Sequence, residues 1–182
     1  MARLLAVFNC SVDGYTVDAD GDFGWSAPDA EVHQFFNDME RGIGTHLYGR
    51  RLWETMRVWQ DLEDDDPVAT EYGEIWRGID HVVYSRTLDA VTEPGARLEG
   101  EFDPVQVRAF VDSQERDVSV GGATLAAVAL RAGIVDELRL VVVPHLAGGG
   151  IPALPDGMSG PLRLREERRF GNGAVLLSYD LR

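Results

Sequence analysis

Two adjacent glycines join an extended apolar stretch to a helical one between residues 117 and 133. A short β-branched run precedes the pair, and an alanine- and leucine-rich segment with helical spacing follows it. Leu125, Val128 and Ala129 are predicted to form the buried face of that helix. Gly133 is suited to end it, because glycine readily adopts the left-handed conformation of a helix C′ position. The stretch predicts a strand, a tight turn and a helix.

The glycine turn admits two interpretations. Gly121 and Gly122 carry no Cβ, so a ligand can approach the backbone closely. The first N–H groups of the helix, at Ala123 and Thr124, have no partner within the helix, and the positive end of its dipole favours phosphate. A turn that only closes the strand onto the helix would look the same. The stretch alone does not separate the two.

Length and charge narrow the class of protein. With 182 residues, of which 45% are hydrophobic, residues 1–182 are predicted to form one domain with a substantial core. The net charge of −14 argues against a nucleic-acid-binding surface. All 17 basic residues are arginine, so their positions are informative.

The remaining compositional signals are negative ones. Cys10 is the single cysteine, so no internal disulfide is expected, and its apolar setting predicts a buried side chain. The four histidines lack metal-ligand spacing, so no metal site is predicted. The apolar run at the N-terminus is too short for a signal peptide or a membrane span, and a cytoplasmic location is the expectation.

The first strand leads into a long polar region. Residues 4–8 are continuously apolar, as in a strand buried on both faces, and Asn9 follows them. Asp13 and Gly14 predict a turn, and a polar loop then runs from residue 17 to Trp25. Trp25 can be either a core anchor or a ring that lines a pocket.

A helix is predicted to begin after this loop. Ser26 is the expected N-cap, with Asp29 three residues later as in a capping box. Glu31 and Phe35 share one edge of this helix because they are four residues apart.

A second strand, glycine and helix follow at residues 44–56, now with two arginines at the helix start. Arg50 and Arg51 directly follow Gly49, at the positive end of the helix dipole. Two cations there are unfavourable unless an anion neutralises them. The anion is either a bound phosphate or a side chain such as Glu54.

The whole pattern predicts an α/β fold. Strands alternate with helices up to residue 143, and a hairpin around residues 171–173 ends the chain. This indicates a three-layer α/β/α architecture with a mixed, mostly parallel central sheet and an antiparallel C-terminal hairpin. Ligands of such sheets bind beyond the carboxyl ends of the strands. Four polar or glycine-rich segments follow strands there: residues 9–14, 49–51, 85–87 and 121–124.

Familiar nucleotide motifs are absent. The chain has neither the GxGxxG of a Rossmann fold nor the GxxxxGK[ST] of a P-loop, and no GxSxG nucleophile elbow.

The ordered motifs nevertheless resemble a known superfamily. SVDG at residues 11–14, YGRRLWE at 48–54, VYSRTL at 83–88, VGGATL at 120–125, VDEL at 135–138 and PHLAGGG at 144–150 are similar to those of dihydrofolate reductase-like proteins. The nearer branch contains the C-terminal reductase domain of the bifunctional riboflavin-biosynthesis deaminase–reductase, RibD. The likeness covers nearly the whole chain and implies an eight- or nine-stranded mixed sheet.

The resemblance also implies a cofactor and an activity. It implies NADPH as hydride donor and a pteridine- or ribosylaminopyrimidine-like substrate, as expected of an NADPH-dependent oxidoreductase. The residues that it places around the cofactor are Gly49, Arg50 and Arg51 at the phosphates, Ser85, Arg86 and Thr87 at the 2′-phosphate side, and Gly121, Gly122, Ala123 and Thr124 at the pyrophosphate.

The substrate side is less defined by the resemblance. Asn9, Trp25 and Phe35 are expected to border the substrate, and Glu31 and Asp13 are the candidate proton donors, with water as the other source. Because the proton donor is not fixed, a non-catalytic nucleotide- or flavin-binding module is the alternative. The resemblance further suggests a homodimer, and the apolar C-terminal hairpin has an edge that needs covering.

Overall fold

The computed structural model describes residues 1–63 and 65–182. Within these residues, five helices and ten strands form along the chain, together with short 3₁₀ turns at Gly24–Ser26 and Arg57–Gln60. The strands and helices are β1 (Leu4–Ser11), β2 (Tyr15–Val17), α1 (Ala30–Glu40), β3 (Ile43–Gly49), α2 (Arg50–Met56), α3 (Pro67–Arg77), β4 (Asp80–Tyr84), β5 (Ala96–Glu99), α4 (Pro104–Asp112), β6 (Asp117–Gly121), α5 (Ala123–Arg131), β7 (Glu137–Val143), β8 (Ile151–Pro152), β9 (Arg163–Arg169) and β10 (Val175–Asp180).

Eight of the strands form one sheet in the order β5-β4-β3-β6-β1-β7-β10-β9. The first six of these are parallel to one another, and β10 runs antiparallel to both β7 and β9. The predicted mixed, mostly parallel sheet with a C-terminal antiparallel hairpin is therefore confirmed. β2 and β8 pair separately as a small second sheet.

Helices cover both faces of the sheet. Neighbouring residues of β3 face opposite sides, so Leu47 packs toward α4 and α5, whereas Tyr48 packs toward α2 and α3. On the α5 side, alanines and valines of β1 and β6 meet Val111 and Ala129. On the other side, α1 contributes Val32 to a cluster with the ends of β7 and β10. This is the predicted three-layer arrangement.

Local signals set the helix boundaries, with one correction. Asp29, and not Ser26, caps α1: its Oδ1 accepts from the Val32 amide at 3.0 Å. Ser26 instead belongs to a 3₁₀ turn, where its hydroxyl donates to the Phe23 carbonyl at 2.8 Å. A capping box was therefore the wrong interpretation. Pro28 follows the 3₁₀ turn and keeps the chain extended up to Asp29.

The helix after the glycine pair also differs in one detail. Gly133 has a φ of +65° just beyond the C-cap of α5, as predicted. Its buried residues are Ala126, Ala129 and Leu130, whereas Val128 is 39% exposed. The predicted buried face was thus rotated, since the small Ala126 is what lets α5 approach the sheet. No described helix is long and apolar enough to cross a bilayer.

Candidate functional site

The carboxyl edge of the parallel strands gathers the predicted ligand segments. Gly49 at the end of β3 is paired with Tyr84 of β4, and Tyr48 is paired with Gly121 of β6. β1 pairs with β6 on its other side. The strand order therefore brings residues 9–14, 49–51, 85–87 and 121–124 to one edge, as the sequence predicted.

Arg50 connects the ends of β3 and β4. Its Nε donates to Glu54 Oε1 at 2.7 Å, and its Nη1 donates to Thr87 Oγ1 at 3.0 Å. The Ser85 hydroxyl lies 3.3 Å from Thr87 Oγ1 and accepts from the Thr87 amide at 3.1 Å. The pairing with Glu54 means that Arg50 already has a carboxylate partner. Both side chains of the pair are nearly half exposed, so this ion pair is weak.

Two further arginines at this edge have no such partner. Within residues 1–63 and 65–182, the guanidinium groups of Arg51 and Arg86 make neither a hydrogen bond nor an ion pair. Both side chains are exposed. Arg51 lies in the first turn of α2, where the helix dipole disfavours an unneutralised cation. Five N–H donors in a planar fork are well suited to a phosphate.

The glycines of the two turns have different reasons to be glycine. A Cβ at Gly121 would lie 2.6 Å from Leu52 Cδ2 and 3.0 Å from Tyr48 Cε1, so the fold itself excludes a side chain there. Gly122 has a φ of +83°, which other residues rarely adopt. A Cβ at Gly49 would only make ordinary contact with Leu125, at 3.7 Å. Packing therefore does not require a glycine at position 49.

The amino end of α5 is open. Its N-cap, Gly122, provides no side-chain hydrogen bond to the first turn, which begins at Ala123 and Thr124. Thr124 is exposed. An anion at this end would accept hydrogen bonds from the backbone N–H groups of the first turn, which have no side-chain cap. The residues at the edge thus fit a dinucleotide phosphate in charge, backbone donors and close approach.

Asn9 and Trp25 border the α1 side of the same edge. The amide nitrogen of Asn9 lies 3.4 Å from the Ser26 carbonyl, whereas its Oδ1 is buried and has no hydrogen-bond partner among the described residues. The Trp25 ring stacks on His145 with centroids 4.7 Å apart, and its Nε1 donates to the Asp22 carbonyl at 3.2 Å. A buried acceptor without a donor is costly unless a ligand or water supplies one.

Phe35 and Glu31 face the hairpin between β9 and β10. Phe35 makes an edge contact with Phe170, with centroids 5.4 Å apart. Glu31 Oε2 accepts from the Gly171 amide at 2.8 Å, and Glu31 Oε1 accepts from Arg168 Nη2 at 3.3 Å. Glu31 therefore joins α1 to the hairpin, and each of its carboxylate oxygens accepts one hydrogen bond in this arrangement.

Asp13 holds the loop that follows β7. Its two carboxylate oxygens accept from the Ala147 amide at 2.9 Å and from the Gly148 amide at 2.7 Å. Hydrogen bonds from the Ser11 hydroxyl and from these amides lower the pKa of Asp13 to about 2. Asp13 is therefore an ionised acceptor at neutral pH. The catalytic roles predicted for Asp13 and Glu31 stay predictions.

The structure adds two side chains that pattern reasoning missed. His145 stacks on Trp25, although the sequence suggested only a flexible loop around it. Arg168 lies over the rings of Phe170 and Phe35, at 4.8 and 5.8 Å from their centroids. The contacts of His145 with Trp25 and of Arg168 with Phe35 join residues more than a hundred positions apart, and no local pattern encodes them.

Two shallow grooves lie away from this edge. One, of about 610 Å³, runs between α1 and α3 and is lined by Gln34, Pro67, Val68, Thr70, Glu71 and Glu74. The other, of about 490 Å³, lies at the end of α5, beside residues 156–159. Neither contains a predicted site residue, so the candidate site remains the carboxyl edge.

Comparisons with known proteins agree with this architecture. The family model of the RibD C-terminal domain matches residues 2–176. The uncharacterized protein YyaP of Bacillus subtilis (strain 168) is 24% identical over 179 residues, which are 97% of this chain and 94% of that protein.

Solved structures show the same fold at low identity. A protein of Shewanella sp. PV-4, described as a candidate riboflavin biosynthesis protein, aligns with a TM-score of 0.76 at 18% identity over 98% of each chain. RibD of Acinetobacter baumannii aligns with a TM-score of 0.72 at 16% identity, over 99% of this chain and 58% of that one. The chain belongs to the RibD C-terminal domain family, related to riboflavin-pathway reductases, and has its dihydrofolate reductase-like α/β fold.

Proposed function

We propose that the protein is an NADPH-dependent reductase whose cofactor phosphates bind at the carboxyl edge of the sheet. The observation that carries this proposal is the pair of exposed, unpartnered guanidinium groups of Arg51 and Arg86 beside the glycine turns. In a chain with a net charge of −14, two unneutralised arginines at one sheet edge favour an anionic ligand. The family relation to reductases supports the same conclusion.

Each segment has a separate task in this proposal. Arg51 and Arg86 bind phosphate groups, and Arg50, held by Thr87, keeps the ends of β3 and β4 together. Gly49 and Gly122 carry no side chain, so the cofactor can approach the protein backbone closely there. When bound, NADPH supplies a hydride for an electron-poor C=N or C=O carbon of the substrate.

The proton that the reduction needs has three candidate sources. Glu31 and Asp13 are the two predicted carboxylates, and solvent water is the third. Both carboxylates accept backbone N–H groups, and the pKa of Asp13 is lowered to about 2, which makes it a poor acid at neutral pH. These contacts favour water as the donor, with Asp13 and Glu31 fixing the loops around the substrate.

Charge on the substrate side favours one substrate class. Residues 13–31 carry six carboxylates: Asp13, Asp18, Asp20, Asp22, Asp29 and Glu31. Arg168 of the adjacent hairpin is already paired with Glu31. A phosphorylated substrate would be repelled there, so we propose a pteridine-like heterocycle over a phosphoribosylaminopyrimidine.

The test has two stages. Fluorescence titration with NADPH and NADH at low and high salt measures the cofactor site, and NADPH should bind more tightly, with an affinity that salt weakens. NADPH oxidation is then followed with pteridines and with ribosylaminopyrimidines, with and without phosphate. Binding without turnover of any of them would favour the non-catalytic module. Equal affinity for NADH and NADPH would refute the assignment of a 2′-phosphate site to this edge, since the two cofactors differ only in that group.

The predicted assembly can be tested in the same preparation. Every residue of β9, the edge strand, is exposed, and Leu164 is 48% exposed. An unpaired strand edge of this kind is a route to pairing with a second copy. We propose a homodimer through this edge, and gel filtration that gives only the 20.1 kDa species would contradict it. The cytoplasmic location stays a prediction.

A further inference from the structure

The ring of Tyr48 forms the floor of the glycine turn between β6 and α5. Tyr48 is 4% exposed and is paired with Gly121 on the neighbouring strand. A Cβ on Gly121 would lie 3.0 Å from Cε1 and 3.1 Å from Cδ1 of this ring. The backbone of Gly121 therefore rests directly on the ring, and a shift of Tyr48 moves the turn.

A buried chain of hydrogen bonds fixes the Tyr48 ring. The Tyr48 hydroxyl lies 2.7 Å from His46 Nδ1, and His46 Nε2 lies 2.7 Å from Glu40 Oε2. Because a carboxylate accepts, we infer that His46 carries its proton on Nε2, and Nδ1 then accepts from the Tyr48 hydroxyl. This chain of hydrogen bonds runs from Tyr48 through His46 to Glu40. It ends near the surface, where the Glu40 side chain is 12% exposed.

The surroundings keep the Tyr48 hydroxyl protonated and the nearby His81 ring neutral. Burial raises the pKa of Tyr48 well above the ordinary tyrosine value, so its hydroxyl remains a donor. Burial lowers the pKa of His81 to about 3, so His81 is neutral and adds no charge. The rings of Trp53 and Trp76 enclose His81 at 5.6 and 4.1 Å. Water has little access to the hydrogen bonds between Tyr48, His46 and Glu40, so it cannot easily replace a bond that is lost.

We propose that Tyr48, His46 and Glu40 are positioning residues for the phosphate-binding turn at Gly121 and Gly122. This inference rests on the proposed function, because it assigns the turn to the cofactor pyrophosphate. Backbone donors bind an anion well only when they are held within a few tenths of an ångström of the right geometry. The chain supplies that constraint from the opposite side of the sheet edge, without contacting the ligand.

The test uses Tyr48→Phe, which keeps the ring and removes only the hydroxyl. The dissociation constant for NADPH should rise about fivefold to tenfold, the effect of one lost buried hydrogen bond. Adenosine 2′-monophosphate lacks the pyrophosphate, so its affinity should change less than about twofold. Tyr72→Phe is the control, because Tyr72 is a buried tyrosine of the same aromatic cluster whose ring contacts Trp59 and His33 instead.

A readout without ligand separates this inference from the proposed function. In the free protein, the amide NMR signals of Gly121 and Gly122 should shift in Tyr48→Phe and stay in place in Tyr72→Phe. Shifted amides in a protein that never binds NADPH would refute the cofactor assignment and keep the positioning role. Unshifted amides with wild-type NADPH affinity would overturn the positioning role, and so would equal weakening of both ligands. If Tyr48→Phe does not fold, Glu40→Gln tests the far end of the chain with the same readouts.

Discussion

The two edges of the parallel sheet use arginine and carboxylate in opposite ways. At the amino edge, where β1, β6 and β7 begin, Glu137 accepts from Arg3 Nη1 and from Arg139 Nε, each at 2.5 Å. At the carboxyl edge, Arg51 and Arg86 have no partner among residues 1–63 and 65–182. Arginines thus form a closed network with a carboxylate at the amino edge, whereas at the carboxyl edge they form an open, cationic surface.

Burial explains this difference. The Glu137 side chain is 1% exposed, so its charge must be paired within the protein. The exposed arginines of the carboxyl edge are solvated and need no internal partner. We expect the closed network to contribute to stability and propose that the open one binds a ligand, and each half of this comparison can be tested by substitution.

The largest expected effect is on stability, at the amino edge. Glu137→Leu removes the acceptor of two arginines and of the Ser178 hydroxyl, and should destabilise the protein by about 3–5 kcal/mol. Urea unfolding measures this loss. Glu99→Leu, whose side chain is 50% exposed and pairs with Arg97 at 3.6 Å, is the control and should change stability by less than about 0.5 kcal/mol. Equal losses in both variants would remove the distinction between buried and exposed pairs.

The second effect is on binding, at the carboxyl edge. Arg51→Ala should weaken NADPH binding roughly tenfold to a hundredfold, the range for a lost hydrogen bond to a charged group. Stability should stay the same or rise slightly, because a cation leaves the first turn of α2. Arg131→Ala, at the other end of α5, is the control for removal of one positive charge. A similar loss of affinity in both variants would indicate a general charge effect and no specific site.

The two glycine positions refine the comparison within the carboxyl edge. Gly49→Ala should fold normally, because the new Cβ meets only Leu125 at 3.7 Å, and should still weaken NADPH binding about tenfold by blocking close approach. Gly121→Ala should lower stability by about 1–3 kcal/mol through collision with Leu52 and Tyr48. Thermal unfolding and NADPH titration of both variants measure the pair. Full NADPH affinity in Gly49→Ala would contradict the assignment of this turn.

The smallest effect concerns pH and the loop held by Asp13. The pKa of Asp13 falls to about 2 in the folded protein from an ordinary value of 3.8. Its stabilisation of the loop is therefore complete above pH 3.8 and is lost as the pH falls toward about 2. At a pH of about 5, hydrogen exchange of the Ala147 and Gly148 amides should be slow in the unmodified protein and fast in Asp13→Asn. Equal exchange in both proteins would show that Asp13 does not hold the loop.

Sequence patterns predicted the scaffold well and the side-chain partners poorly. The glycine after α5 and the C-terminal hairpin both rest on neighbouring residues. Ser26 and Asp29 were both possible N-caps of α1. Asp29 is the N-cap in the structure, because Ser26 belongs to the preceding 3₁₀ turn. The short strands β2, β5 and β8 were not predicted. β2 and β8 form only against each other, from distant parts of the chain.

The candidate site divides along the same line. The convergence of four segments could be predicted, since parallel strands place their carboxyl ends at one edge. The partner of each site side chain could not, because Asp13 meets Ala147 and Glu31 meets Gly171 only after distant parts of the chain fold together.

The sequence by itself determined the alternation of strands and helices, the family and the edge at which a ligand is expected. Periodicity, caps and glycines act over a few residues, and a local pattern is enough to encode them. The tertiary structure alone decided which charges are neutralised and which remain open. In the folded protein, Glu137 is paired with arginines, and Asp13 and Glu31 accept hydrogen bonds from backbone amides. The Tyr48 ring lies directly beside Gly121. These contacts depend on register and burial, which arise only when the sheet is assembled.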